Sequence, residues 1–321
     1  MNRPELTIVI PFLNEENVLP LLYERLKTMP EKPVACELLF VSDGSTDNSV
    51  AQVEAWARLD SSVKLIVLTR NFGHQYAVSA GLSLASGDYV AIMDADLQDE
   101  PEVLIQMYRV LRAERVDVVY AVRATREENL AKRFWYSLFY RLFAFLADSP
   151  VHVNSGDFCV MSRLAVRHLR ALPEKLRFVR GLRAWLGLPE KAFSIARPAR
   201  AAGHPQYSFV KLVKLAFSGL TSFSTKPLRI GFLGGALLCF MAVAGALVYA
   251  RIAVFTNARI EAPGFSTLVV VLLFSNGLVF LYLGILGEYI GQIFIEVKGR
   301  PSYIIERTVN LEQDALPNER N

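Results

Sequence analysis

The sequence predicts an α/β domain with a mostly parallel, doubly wound sheet, followed by interfacial helices and a transmembrane hairpin of two helices. Short apolar runs alternate with helical segments over the first third of the chain, as in parallel sheets covered by helices on both faces. Two later stretches, 230–250 and 262–287, carry no charged residue and exceed the ~20 residues needed to cross a hydrocarbon core. Two buried core helices are the alternative, but little else in the chain could cover two helices that are apolar all round.

Each element of the α/β part is predicted from its own pattern. Apolar runs predict strands at 6–11, 37–41, 63–68, 89–93 and 118–121. Helical spacing of apolar residues predicts helices at 17–28 and 75–85. Three polar pairs follow predicted strands: Asn14 with Glu15, Asp43 with Ser45, and Asp94 with Asp96. Because ligands bind such sheets at the carboxyl ends of their strands, we expect one binding site there.

Hydropathy divides the chain into four parts. They are the α/β domain at 1–208, a juxtamembrane amphipathic helix at 209–228, the transmembrane hairpin at 229–290, with spans at about 230–252 and 264–287, and a cytosolic tail at 291–321. The first residues lack the pattern of a signal peptide, so the α/β domain and both termini are expected in the cytosol. The aromatic segment 133–147 fits either a membrane-surface helix or a buried core helix.

Charge and cysteine content narrow the class of protein. The net charge of +4 is small, and it is better explained by basic residues beside the membrane than by nucleic-acid binding. Cys36, Cys159 and Cys239 show no metal or disulfide spacing, which fits a reducing compartment.

An acidic motif at the end of the fourth predicted strand predicts a metal site. Asp94, Asp96 and Gln98 would present three oxygen atoms at the tip of this strand. Mg²⁺ and Mn²⁺ favour oxygen ligands, and they often bridge to substrate phosphates. The alternative is a charged corner between a strand and a loop.

Several motifs together resemble one enzyme family. The segments 8–16, 41–47, 69–73, 94–101 (D-A-D-L-Q-D-E-P) and 154–158 (N-S-G-D-F) resemble family 2 glycosyltransferases of the GT-A fold. The ending L-G-E-Y-I-G at 286–291, with K-G-R-P-S-Y at 298–303, is similar to polyprenyl-phosphate glycosyltransferases with two C-terminal spans. Among these, the chain most resembles bactoprenol glucosyl transferases and the undecaprenyl-phosphate aminoarabinose transferase group.

The resemblance implies a reaction and a location. The donor would be a nucleotide sugar, with UDP as the expected nucleotide and a hexose as the sugar, and the acceptor would be undecaprenyl or another polyprenyl phosphate. Transfer would invert the anomeric carbon and give a glycolipid for cell-envelope, O-antigen or lipid A modification. The enzyme would lie in the bacterial inner membrane with Mg²⁺ or Mn²⁺ as cofactor, and relatives suggest a homotetramer.

The resemblance also implies roles for individual residues. Asp94, Asp96 and Gln98 would hold the metal ion, and Asp96 and Asp157 would be catalytic. The nucleotide would contact Pro11, Asn14, Glu15, Asp43 and Asp94. The acceptor phosphate would contact Arg123, Arg126, Lys132, Arg133 and Arg200. Because a phosphate monoester has a second pKa of about 6, a strong general base is not obligatory, and Asp157 could be a base or an orienting group.

The sequence departs from the family pattern at two positions. Gln206 stands where relatives usually carry lysine, and Cys159 stands where a basic residue is common. His74 and His204 could reach the pocket, but a single histidine is more often structural, so neither is assigned a catalytic role.

Two other functions are compatible with an α/β domain joined to apolar helices. A processive polysaccharide synthase typically carries a Q-x-x-R-W motif and more spans, whereas residues 180–185 read R-G-L-R-A-W. A non-catalytic membrane scaffold that partners a flippase would have no need for intact acidic residues at 94, 96 and 157.

Overall fold

The computed structural model describes residues 3–29, 33, 35–123, 155–175, 177–195, 226–256 and 264–311. The strands are β1 (Leu6–Phe12), β2 (Cys36–Ser42), β3 (Val63–Leu68), β4 (Tyr89–Ile92), β5 (Val118–Arg123), β6 (Ser155–Ser162), β7 (Glu190–Ile195) and β8 (Ile305–Val309). The helices are α1 (Leu19–Thr28), α2 (Ser49–Leu59), α3 (His74–Leu84), α4 (Pro101–Glu114), α5 (Arg163–Ala171), α6 (Val179–Trp185), α7 (Lys226–Thr256) and α8 (Phe265–Val297). The described residues fall into two compact units, one holding β1 to β7 with β8, the other holding α7 and α8.

The eight strands form one sheet in the order β7-β5-β6-β4-β1-β2-β3-β8. The central strand β1 runs parallel to both β2 and β4, and β2 runs parallel to β3. Every residue of β1 and β2 is buried, because helices cover both faces of the sheet. The predicted α/β architecture with a mostly parallel sheet is confirmed. The parallel pairing brings the carboxyl ends of β1, β2 and β4 to one edge.

A buried polar network joins the opposite, amino ends of three strands. Glu37 accepts hydrogen bonds from the hydroxyls of Thr7 and Ser86, and its Oε2 lies 2.5 Å from Nζ of Lys64. Burial alone would raise the pKa of Glu37. The hydrogen bonds from Lys64 and Thr7 outweigh burial and hold the pKa below its ordinary value.

The low pKa of Glu37 predicts a loss of stability in acid. A depressed carboxyl pKa stabilises the folded state above the unfolded pKa of about 4.3, and this contribution disappears as the pH falls through the folded value. We expect Glu37→Gln to lower the free energy of unfolding by about 2 kcal/mol at pH 7 and to reduce its decline below pH 5. Urea unfolding of the full chain in detergent measures both effects. The matched control is Glu102→Gln, which breaks the half-exposed pair with Arg25 and should cost under about 1 kcal/mol.

The segment after α8 returns to the sheet. The predicted tail at 291–321 contains the end of α8, which extends to Val297, and the strand β8, which pairs antiparallel with β3. Arg307 forms an ion pair with Glu54, and Tyr303 donates to the hydroxyl of Ser83 at 3.0 Å. Because β8 satisfies backbone groups of β3 that would otherwise face solvent at a sheet edge, it stabilises that side of the domain.

Asn310 secures the end of this returning strand. Its backbone is left-handed, with a φ of 58°, and its Nδ2 donates to the carbonyls of Ala57 at 2.6 Å and Val63 at 2.9 Å. We expect Asn310→Gly, which tolerates this φ, to cost about 1 kcal/mol of unfolding free energy. Asn310→Ala adds backbone strain and should cost about 2 kcal/mol. Urea unfolding compares the two variants, and equal stability of Asn310→Ala and wild type would contradict the assignment.

The helical unit contains α7 and α8, which pack together where Gly231 meets the ring of Tyr282. Within the described residues, one helical segment, Phe274–Val297, is long and apolar enough to cross a membrane, with a mean hydropathy of 1.8. None of this segment is buried, unlike the core helix considered as an alternative. The apolar segment Gly231–Gly245 of α7 is shorter, so the predicted hairpin of two spans is not confirmed. The segment 133–147 and most of the predicted juxtamembrane helix at 209–228 lie outside the described residues, and residues 226–228 form the start of α7.

Candidate functional site

A pocket of about 350 Å³ opens at the carboxyl edge of the sheet. It lies where β1, β2 and β4 end and where α3 begins. Five of the residues predicted from sequence line it: Pro11, Glu15, Asp43, Asp94 and Asp96. The other lining residues are Phe12, Leu13, Asn71, Gly73, His74, Ala77 and Ala95.

A tight turn after β4 positions Asp96. The backbone amide of Gln98 donates to Oδ1 of Asp96 at 3.0 Å, and Leu97 between them has a φ of 58°. Gln98 therefore supports Asp96 through its main chain, and its side chain is not among those that line the pocket. The structure thus brings Asp94 and Asp96, but not Gln98, to the pocket wall.

Several carboxylates concentrate negative charge at the pocket. Burial and the neighbouring carboxylates of Asp96 and Asp47 raise the pKa of Glu15 above its ordinary value. Within the described ranges, no group of three or more His, Cys, Asp and Glu side chains is arranged to hold a metal ion. Mg²⁺ is usually held by one or two carboxylates together with substrate phosphates and water, so the pair Asp94 and Asp96 fits a divalent cation that binds with its substrate.

Asn14 joins the two loops that border the pocket. Its φ is 54°, its side-chain oxygen accepts from the amide of Thr46 at 2.8 Å, and its amide donates to Oγ of Ser45 at 3.1 Å. Asn tolerates this left-handed backbone better than most residues. Asn14 is not among the lining residues, so the structure gives it a supporting position beside Glu15.

Asp43 anchors the loop between β3 and α3. Its carboxylate accepts from the backbone amides of Phe72 at 2.8 Å and Gly73 at 2.9 Å. Burial raises the pKa of Asp43, although these two amides stabilise its charge. The next residue, Gly44, has a φ of 73°, and a Cβ there would lie 2.3 Å from the carbonyl carbon of Arg70. The close contact of these two loops therefore requires glycine.

Asp157 lies behind the pocket, on β6, beside one hydrogen-bond donor and two cationic side chains. Nε2 of Gln75 donates to its Oδ2 at 2.7 Å. Nε2 of His74 lies 3.4 Å from the same oxygen and 3.5 Å from Oδ1 of Asp94. Nε of Arg180 lies 3.7 Å from Oδ1 of Asp157. His74 thus links Asp157 to the aspartate pair.

The charges in this cluster shift the pKa values of Asp157 and His74. Burial alone would raise the pKa of Asp157, whose side chain is 9% exposed. The hydrogen bond from His74 and the charge of Arg180 outweigh burial and lower it. Burial alone would lower the pKa of His74, but its interactions with Asp157 and Asp94 raise it. Asp157 is therefore anionic at neutral pH and a weak base.

Sequence reasoning missed Gln75 and Arg180 and set His74 aside. Positions 74–75, 157 and 180 are far apart in the chain, and no spacing rule joins them. The segment containing Arg180 was compared only with the Q-x-x-R-W motif, which it does not match. One sequence signal could have indicated His74 and Gln75 as site residues: they directly follow the motif N-F-G at 71–73.

The predicted acceptor cations are largely untested. Arg123 ends β5, and because β5 and β6 are antiparallel, it lies near the start of β6, the strand that carries Asp157. The other four predicted cations and the departure from the family pattern at 206 lie outside the described residues: Arg126, Lys132, Arg133, Arg200 and Gln206.

Comparison with known proteins gives a consistent result. A family model described as "Glycosyl transferase family 2" matches residues 7–170. The glycosyltransferase YkcC of Bacillus subtilis is 39% identical over 97% of this chain and 96% of its own length. The SfII prophage-derived bactoprenol glucosyl transferase of Shigella flexneri is 37% identical over 95% of this chain and 98% of its own length.

Solved structures show a more distant likeness. Glucosyl-3-phosphoglycerate synthase from Mycobacterium tuberculosis, in complex with Mn²⁺, UDP and glucosyl-3-phosphoglycerate, is 17% identical with a TM-score of 0.47. The match covers 68% of this chain and 78% of that one.

Proposed function

Because the chain belongs to glycosyl transferase family 2 and is a glycosyltransferase, we propose that it transfers a hexose from a UDP-sugar to a polyprenyl phosphate at a membrane. One observation carries the proposal: Asp94 and Asp96 line a pocket at the strand ends, and His74 links Asp94 to Asp157. The names of the bactoprenol glucosyl transferases, similar over nearly the whole chain, support the polyprenyl acceptor.

The pocket suits a nucleotide diphosphate on chemical grounds. Crowded carboxylates repel a diphosphate unless a cation lies between them. Asp94 and Asp96 would hold a bound Mg²⁺ or Mn²⁺, which would supply positive charge to stabilise the diphosphate leaving group. Pro11, Glu15 and Asp43 surround the remaining volume, where the nucleoside would bind.

The proposed reaction exchanges one phosphate oxygen for another at the anomeric carbon. A phosphate oxygen of the acceptor attacks this carbon, the bond to the donor diphosphate breaks, and the nucleoside diphosphate leaves with the electron pair. Because the acceptor phosphate has a second pKa of about 6, it is largely ionised at neutral pH and needs no base. Asp157, already anionic and held by Gln75, then serves to orient His74 and Arg180 rather than to accept a proton.

Because the proposed acceptor is a lipid, the helical unit would serve to hold the enzyme at the membrane. We propose that α7 and α8 hold the enzyme in the bacterial inner membrane as a two-span hairpin, with the α/β domain and both termini in the cytosol. The apolar segment Phe274–Val297 supports one span, and the uncharged residues of α7 support the other. Arg123, Arg126, Lys132, Arg133 and Arg200 remain the proposed contacts for the acceptor phosphate, and a homotetramer remains the proposed assembly.

The direct test is product formation by the purified full-length protein. It is incubated with undecaprenyl phosphate, Mg²⁺ or Mn²⁺ and a panel of UDP-sugars, and glycolipid is identified by mass. We expect one UDP-hexose to give undecaprenyl-phosphate-hexose, and we expect EDTA to abolish the product. Failure of every donor to give a glycolipid would refute the proposed donor and acceptor, and full activity in EDTA would refute the metal site.

A further inference from the structure

Gln75 makes two side-chain hydrogen bonds that connect three elements. From α3, its Nε2 donates to Oδ2 of Asp157 on β6 at 2.7 Å. Its Oε1 accepts from the backbone amide of Val179, the first residue of α6, at 2.9 Å. Both hydrogen bonds are partly buried.

The chemistry of the partners permits one orientation of this amide. The carboxylate of Asp157 only accepts hydrogen bonds when ionised, and the backbone N–H of Val179 only donates. The amide must therefore present its NH₂ group to Asp157 and its carbonyl to Val179. Glutamate would place a second carboxylate against Asp157, and asparagine would be one methylene too short to reach both partners.

The second hydrogen bond also positions a cation. The first amides of a helix have no partner within the helix, and the N-cap residue of α6, Phe178, makes no side-chain capping bond. Gln75 supplies a partner for Val179. The next residue, Arg180, places its Nε 3.7 Å from Oδ1 of Asp157. The same amide thus holds the carboxylate and the helix that carries its ion-pair partner.

We propose that Gln75 is a positioning residue for sugar transfer, acting by fixing Asp157 and the start of α6 in a single arrangement beside the aspartate pair. This inference rests on the proposed function, because Gln75 acts through Asp157. A misplacement of about 1 Å at an active site costs up to about 100-fold in rate. Loss of Gln75 should therefore lower kcat more than it weakens donor binding.

The test is a double-mutant cycle in the full-length protein. Turnover and donor KM are measured for wild type, Gln75→Ala, Asp157→Asn and the double variant, with UDP-sugar and undecaprenyl phosphate. We expect Gln75→Ala to lower kcat about 10- to 100-fold and to change donor KM less than about threefold. In the Asp157→Asn background, the same change should lower kcat less than about twofold, because no carboxylate remains to be positioned.

The outcomes separate this inference from the proposed function. Equal losses from Gln75→Ala in both backgrounds would indicate a general structural role and overturn the inference, as would unchanged kcat in the wild-type background. Full activity of Asp157→Asn would also overturn the inference, because Gln75 is proposed to act through Asp157. The absence of glycolipid from wild type would instead refute the proposed function. The matched control is Gln52→Ala, which removes a part-buried side-chain amide on α2 that donates to the carbonyl of Glu16 and should leave kcat within about twofold.

A second variant covers the case in which Gln75→Ala does not fold. Gln75→Glu keeps the shape and can still accept from Val179, but it repels Asp157. We expect its kcat to fall about as far as that of Gln75→Ala. Adding Asp157→Asn places an NH₂ donor opposite the introduced carboxylate, so the thermal unfolding temperature should recover while kcat does not. Recovery of both properties together would overturn the positioning role.

Discussion

Asp96→Asn is expected to abolish most sugar transfer while leaving the fold intact. The substitution keeps an oxygen at the end of β4, but it removes one of the two negative charges that would hold a divalent cation in the pocket. Loss of electrostatic stabilisation of a leaving group commonly costs about 10²- to 10³-fold in kcat. We expect a loss in this range, together with weaker Mn²⁺-dependent binding of UDP in calorimetry.

The chain offers a matched control for this substitution. Asp60 accepts from the amide of Ser62 two residues later at 2.8 Å, as Asp96 does from Gln98, but it lies in the turn between α2 and β3. Asp60→Asn makes the same chemical change in the same local motif away from the pocket, and kcat should stay within about twofold. Unchanged turnover in Asp96→Asn would remove the metal-site hypothesis.

Asp157→Asn is expected to have the second large effect, about 10²-fold in kcat. The asparagine cannot hold both His74 and Arg180 by charge, and its NH₂ group would face the donor of Gln75 or of His74. Steady-state kinetics on the purified chain, with thermal unfolding as a check of folding, measures the loss.

The pH profile of the same variant distinguishes orientation from base catalysis. Because the pKa of Asp157 lies below its ordinary value of about 3.9, the group stays ionised from pH 5 to 8. Its replacement should lower kcat by a similar factor throughout this range and leave any acid limb near pH 6, which the acceptor phosphate contributes, unchanged. An acid limb that disappeared in the variant would instead identify Asp157 as the base.

The control for Asp157 is an aspartate that contacts the other end of β6. Asp117 accepts a hydrogen bond from the hydroxyl of Ser162, the last residue of β6, at 2.6 Å. Asp117→Asn should lower stability slightly and leave kcat within about twofold. If both substitutions lowered kcat equally, the loss in Asp157→Asn would reflect the strand and not the site.

The resemblance to family 2 glycosyltransferases seen in the sequence is confirmed, and so is the α/β sheet. Both follow from local patterns: apolar runs bounded by turns predict strands, and the alternation of strands with helices predicts parallel pairing. Asp94 and Asp96 were identifiable because they follow the end of a predicted strand. The strand β8 escaped prediction because its five residues read I-E-R-T-V, a half-polar pattern at an exposed edge.

Local sequence patterns were enough to locate the edge of the sheet where the pocket opens, because parallel strands end together and the polar residues that follow them can be read from the strand positions. Tertiary structure alone decided which side chains meet behind that edge. His74, Gln75, Asp157 and Arg180 come together because the start of α3, the first residues of β6 and the start of α6 pack against each other. That packing depends on contacts between segments that are far apart in the chain, and the spacing of residues within one segment does not predict such contacts.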